Sequence, residues 1–150
     1  MRMRTQLMRL LRAREAHAHC DIPCGIYDPI SAKIAAQTVL KMVMRIQALD
    51  DPQGNSFSRY VAVKEQHAEL VKHEVDVLWH DYFKPEHLEK YPDLHTIVWE
   101  TTKLASANKQ GVDLGAAQQL VASVDKIAET FWATKGVEYD DTVASVRFGS

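Results

Sequence analysis

The nine residues His19-Cys20-Asp21-Ile22-Pro23-Cys24-Gly25-Ile26-Tyr27 carry more potential chemistry than any other stretch of the chain. Both cysteines of the protein lie here, four positions apart, with a histidine directly before the first and a proline between them. Two cysteines in a chain of this size can simply be buried or form a disulfide, because free Cys packs as a small apolar residue. These two instead sit in a Pro/Gly turn outside any helical stripe. A thioredoxin-type site needs Cys-x-x-Cys after a strand, whereas this is Cys-x-x-x-Cys with no strand before it. Structural zinc needs four protein ligands, and only two thiols exist. A soft site of low coordination number fits best, and thiolates with nitrogen donors in a plane suit nickel or copper. A metal-free, disulfide-stapled helical oligomer stays open. His17, His73, His80, His87 and His95 show no ligand spacing, and no Glu-x-x-His supports a di-iron bundle site.

The elements that must hold this segment read as helices. Asp28-Pro29 is a helix start, an Asx cap followed by proline at the first helical position. Ile34, Val39, Leu40, Val43 and Ile46 give the first helix an apolar face that runs out to Leu49. Asp50-Asp51-Pro52-Gln53-Gly54-Asn55 breaks it. A second helix is expected from about Ser56 to Tyr82, with a stripe of Tyr60, Val63, His67, Leu70, Val71, Glu74, Val75, Leu78 and Trp79. Lys84-Pro85 ends it, and after a short connecting turn Tyr91-Pro92 opens a third, striped by Leu94, Ile97, Val98, Thr101, Leu104 and Ala105. Asp113 caps a fourth, containing Leu114, Ala117, Leu120, Val121, Val124, Ile127, Ala128 and Phe131, which Gly136 closes. Residues 137–150 show no period and read as a loose tail or an interface arm. The expected fold is therefore all-α, an up-and-down four-helix bundle over 29–136, carrying the 19–28 segment at its N-terminus.

At 150 residues the chain is one domain by prior, and no apolar run is long enough for a membrane span. Charge is distributed unevenly. Residues 1–18 hold five arginines (Arg2, Arg4, Arg9, Arg12, Arg14) against Glu15, while residues 19–150 hold 13 Lys+Arg and 19 Asp+Glu. The body thus has no basic field for nucleic acid. Residues 1–18 lack the apolar stretch of a secretory signal. They read either as a fraying N-terminal helix or as a removable leader ending in Ala16-His17-Ala18.

The run His19-Cys20-Asp21-Ile22-Pro23-Cys24-Gly25-Ile26-Tyr27-Asp28-Pro29 closely resembles the nickel-binding hook of nickel superoxide dismutases. The resemblance continues through Lys64-Glu65-Gln66, Ala68-Glu69-Leu70, Val77-Leu78-Trp79 and Asp81-Tyr82-Phe83-Lys84-Pro85. It returns at Glu89-Lys90-Tyr91-Pro92 and Leu94-His95, covering most of 19–135. It implies a homohexamer of four-helix bundles, made from a precursor that a protease cuts just before the histidine, here between Ala18 and His19. By the same resemblance, one nickel ion per chain is bound by the freed amine of His19, the amide nitrogen of Cys20 and the thiolates of Cys20 and Cys24. The His19 imidazole would be axial in the oxidised state. A cis Ile22-Pro23 bond is implied, folding the sulfurs toward one ion. Tyr27 and Tyr82 resemble the hydroxyls that gate the site, Lys84 the cation that attracts superoxide, and the backbone of Asp21 helps shape the pocket.

This chain departs from the family at two positions. The family's glutamate is replaced by Ala35 and its arginine by His67, the pair that orients the axial imidazole from outside. Losing such a partner can cost about 10–100-fold. The expectation is that His67, alone or through a water, contacts the His19 ring. The alternative function is a non-enzymatic nickel or copper carrier, with redox cycling crippled by Ala35 and His67. Two cysteines dedicated to metal, with no other thiol, suit a reducing cytoplasm.

Overall fold

The computed structural model describes residues 25–51 and 53–149. His19, Cys20, Asp21, Pro23 and Cys24, and the whole of 1–18, lie outside the described residues. Helix α1 spans Ile30–Gln47. Asp28 Oδ1 accepts the Ile30 N–H at 2.8 Å, and Pro29 has helical angles, so this start is built as the Asp-Pro pair predicts. Helix α2 spans Asn55–Val77 and passes without a break into a π-helical turn, Leu78–Tyr82. The Phe83 N–H closes that turn on the Leu78 carbonyl at 2.9 Å, and Pro85 prevents continuation two residues later. Helix α3, Pro85–Lys90, replaces the connecting turn expected there. Helix α4 spans Leu94–Gln110 and helix α5 Leu114–Thr134. Asp113 caps α5 by accepting the Ala116 N–H at 2.6 Å. Gly136, at φ +72°, ends it, with the Val137 N–H on the Trp132 carbonyl at 3.0 Å.

The four long helices pack in sequence around a ring, α1 on α2, α2 on α4, α4 on α5, and α5 back on α1. Short connections make neighbours antiparallel, which is the expected up-and-down bundle. The core comprises Val39 and Val43 of α1, Val71 and Val75 of α2, Leu94 and Val98 of α4, and Leu120, Val124, Ile127 and Phe131 of α5.

Two expectations need correction. On α2 the buried line is Lys64, Ala68, Val71, Val75 and Leu78, a spacing of four, three, four and three. The predicted stripe lay partly to one side of it, since Leu70 is exposed. A lysine at a core position hid the phase. Lys64 Nζ donates to the carbonyls of Asn108 and Lys109 at the end of α4, giving its charge the acceptor end of a helix. Burial lowers its pKa. Ile34, expected inside, is 46% exposed, because small residues, Ala32, Ala35 and Ala36, take the inner face of α1.

The tail is the second correction. Residues 137–149 fold back on α1 and end in helix α6, Ala144–Phe148. Lys33 anchors them. It is 3% exposed and reaches Asp125 of α5 at 2.6 Å and Asp141 of the tail at 2.7 Å, with the Tyr139 hydroxyl at 2.7 Å. Arg147 grips Asp141 through two bonds of 2.8 Å. Gln37 and Lys41 of α1 donate to the carbonyls of Ala144 and Gly149. Burial alone would lower the Lys33 pKa, but Asp125, Asp141 and Tyr139 together raise it. The Arg147 fork is the largest influence holding the Asp141 carboxyl down, at about 2.

Candidate metal centre

The residues leading out of the cysteine segment enter the bundle at the head of α1. Gly25 has φ +88°, a left-handed conformation that is open to glycine and strained for other L-residues. Two positions later Tyr27, half-buried, meets Tyr82 with ring centroids 5.7 Å apart and tilted by 56°. One tyrosine precedes α1 and the other ends the π-helical turn, so the fold brings together two residues 55 positions apart.

Tyr82 is held from several sides. Phe131 of α5 lies 4.4 Å from its ring and Phe83 5.3 Å, while His87 of α3 stacks at 5.6 Å and 18°. Lys135 Nζ sits 5.0 Å from the ring centroid, a cation on an aromatic face. The Tyr82 hydroxyl lies 2.6 Å from Thr134 Oγ1. Thr134 spends its own proton on the Phe131 carbonyl at 2.6 Å, so Tyr82 is the donor of that pair. Its oxygen lone pairs remain to accept from a water or a ligand. Sequence reading missed Thr134, His87, Phe131 and Lys135 as supports of this ring. Thr134 and Lys135 follow the last apolar residue of α5 and carry no motif. His87 had been set aside for lacking ligand spacing.

Lys84 is exposed and follows the π turn, its backbone N–H meeting His87 Nδ1 at 3.2 Å. It is two residues from Tyr82, at the mouth of the same corner. His67 is not brought there. It precedes Tyr82 by fifteen residues, about 22 Å along a helix axis. Its Nδ1 lies 2.8 Å from the Val63 carbonyl. A carbonyl only accepts, so Nδ1 carries the hydrogen and Nε2 is left as an acceptor in the neutral ring. Ala35 is fully buried in the core. Glu69 and Lys109 pair at 2.7 Å on the surface, away from this corner.

The described residues contain no group of three or more His, Cys, Asp or Glu able to hold a metal ion. The candidate donors are therefore His19, Cys20 and Cys24, immediately before Gly25. Two thiolates with nitrogen donors fit nickel by ligand softness and by their preference for a planar set. None of the helices among the described residues is long and apolar enough to cross a membrane.

The family model for nickel-containing superoxide dismutase matches residues 14–135. The chain belongs to the nickel-containing superoxide dismutases. The superoxide dismutase [Ni] of Streptomyces coelicolor is 47% identical over 118 residues, covering 79% of this chain and 88% of that protein. The same figures hold for the superoxide dismutase [Ni] of Streptomyces seoulensis. A native nickel superoxide dismutase structure superposes with a TM-score of 0.72 at 46% identity, over 78% of this chain and 99% of that one. A structure with nickel ligation corresponding to the oxidised state gives 0.73 at 45% identity, over 79% and 100%. This family member is thus a nickel-dependent oxidoreductase acting on superoxide, and the carrier reading is not favoured. Segment 136–150, including the fold-back onto α1, lies beyond the family match.

Proposed function

We propose that the chain disproportionates superoxide at a nickel ion held by the amine and imidazole of His19, the amide nitrogen of Cys20 and the thiolates of Cys20 and Cys24. Two superoxide ions and two protons give one oxygen and one hydrogen peroxide. Bound nickel would supply the one-electron steps by alternating between Ni(III) and Ni(II). The observation that carries the assignment of the access residues is the Tyr27–Tyr82 contact at the exit of the cysteine segment.

In this reading Tyr27 and Tyr82 form a wall that admits a small anion and excludes larger ones. With its proton committed to Thr134, Tyr82 orders a water at the mouth through its lone pairs. Lys84 supplies positive potential against an acidic body and raises the local concentration of superoxide. The Asp21 backbone shapes the pocket, and Pro23 turns the two sulfurs toward one ion. Residues 1–18 act as a leader. While they are attached, the His19 nitrogen is an amide and a poor donor, so cleavage by a protease completes the site. The mature chain assembles as a homohexamer in the cytoplasm, with one nickel per chain. In that assembly His67, too far along α2 from its own tyrosine pair, serves the His19 imidazole of a neighbouring copy. Its Nε2 accepts the ring N–H, in place of the family's charged pair.

The test is superoxide decay with nickel-loaded protein, comparing the full chain with one beginning at His19. Fast decay only in the shorter form is expected. Equal decay in both would overturn the role of the leader, and no decay in either would overturn the proposed ligand set.

A further inference from the structure

Beside Tyr27 the fold-back of the tail creates a groove of about 280 Å³ that the proposed reaction does not use, lined by Asp28, Ile30, Trp132, Val137, Glu138, Tyr139, Asp140 and Asp141. Its apolar wall is Ile30, Trp132 and Val137, the last 49% exposed. Its rim is acidic. Asp141 is neutralised by Lys33 and Arg147, but among the described residues no cation pairs with Asp28, Glu138 or Asp140. The Lys33 anchor fixes the backbone on both sides, so the groove is built in advance.

We propose that this groove docks the basic segment 1–18 of the same chain. Charge selects the occupant. The body from residue 19 onward is net acidic, and 1–18 is the segment with a strong basic excess, five arginines to one glutamate. Shape agrees, since Leu7, Leu10 and Leu11 are interleaved with those arginines and the groove has room for an apolar side chain or two. Length agrees as well. Arg14 precedes Gly25 by eleven residues, an extended reach of about 36 Å, and Asp28 is itself on the rim. Single surface ion pairs are weak, but a covalent tether holds the segment at roughly millimolar effective concentration. The inference goes beyond the proposed function. It takes 1–18 as a segment separate from the bundle and is independent of nickel, so its failure would leave the dismutase reading untouched.

The test uses the full chain with photoreactive benzoylphenylalanine in place of Leu10, irradiated and digested with trypsin. The expected cross-links fall in the peptide 136–147 and on Trp132. They disappear in Glu138→Lys/Asp140→Lys, whose helicity should be unchanged because both side chains are exposed. They also weaken in about 0.5 M salt, where screening acts within a few ångströms. Cross-links spread over other faces, or undiminished by the charge reversal, would overturn the proposal. So would heavy-to-light cross-links in a mixture of isotope-labelled and unlabelled protein, which would assign the groove to a neighbouring copy's segment.

Discussion

Replacing Asp141 by Asn tests the tail anchor most directly. The substitution keeps size and shape, removes one of the two carboxylates on buried Lys33, and breaks the double bond to Arg147. Removing one partner of a fully buried pair typically costs about 3–5 kcal/mol. Here Lys33 keeps Asp125, whose side chain is 34% exposed, and Arg147 can turn to solvent, so about 1–2 kcal/mol is expected. For a chain of this length that is a fall in Tm of about 2–8 °C, at fixed protein concentration because assembly contributes to apparent stability. Lys33→Met should soften the loss when combined with it, since the buried charge then disappears with its partner. Protonation should mimic the substitution. The folded carboxyl is held at about 2 against an ordinary 3.8, so its contribution is present above about pH 4 and is lost as pH falls toward 2. Equilibrium unfolding in denaturant at pH 7 and at pH 3 is the assay. A variant as stable as the parent at pH 7, with no smaller loss than the parent on acidification, would refute the anchor.

Lys84→Glu should lower kcat/KM for superoxide by about tenfold or more at low ionic strength, with the gap narrowing as salt is added; a salt-independent change would remove steering as the cause. His67→Ala should weaken the axial-nitrogen hyperfine signal of the oxidised nickel protein and slow turnover by about tenfold or more. An unchanged signal with unchanged turnover would end its role.

The bundle was legible because its boundaries rest on local chemistry. Asp28-Pro29, Asp113 and Gly136 act within a few residues of themselves, and each does in the structure what its type suggests. The tail was not legible, because what fastens it is a contact between Lys33 and Tyr139, 106 positions apart. No period records such a pairing. Lys64 misled for a related reason, since a charge on the buried face is tolerated only because two carbonyls of another helix meet it. At the site, the Tyr27–Tyr82 partnership was readable by resemblance to the family. The ring's supports, Thr134, His87 and Lys135, come from helix ends whose meeting depends on the packed fold.

The π-helical turn at Leu78–Tyr82 bears on how this region tolerates change in length. A helix turns by about 100° per residue, so its phase is set by counting. A substitution within the turn leaves the count intact. A one-residue deletion would let the ladder revert to ordinary α geometry and swing everything after it by about that angle. Tyr82 would then leave both Tyr27 and Thr134 in a single step, and Lys84 would move with it. Drift in residue type is therefore compatible with this corner, whereas drift in length between Val77 and Pro85 is not.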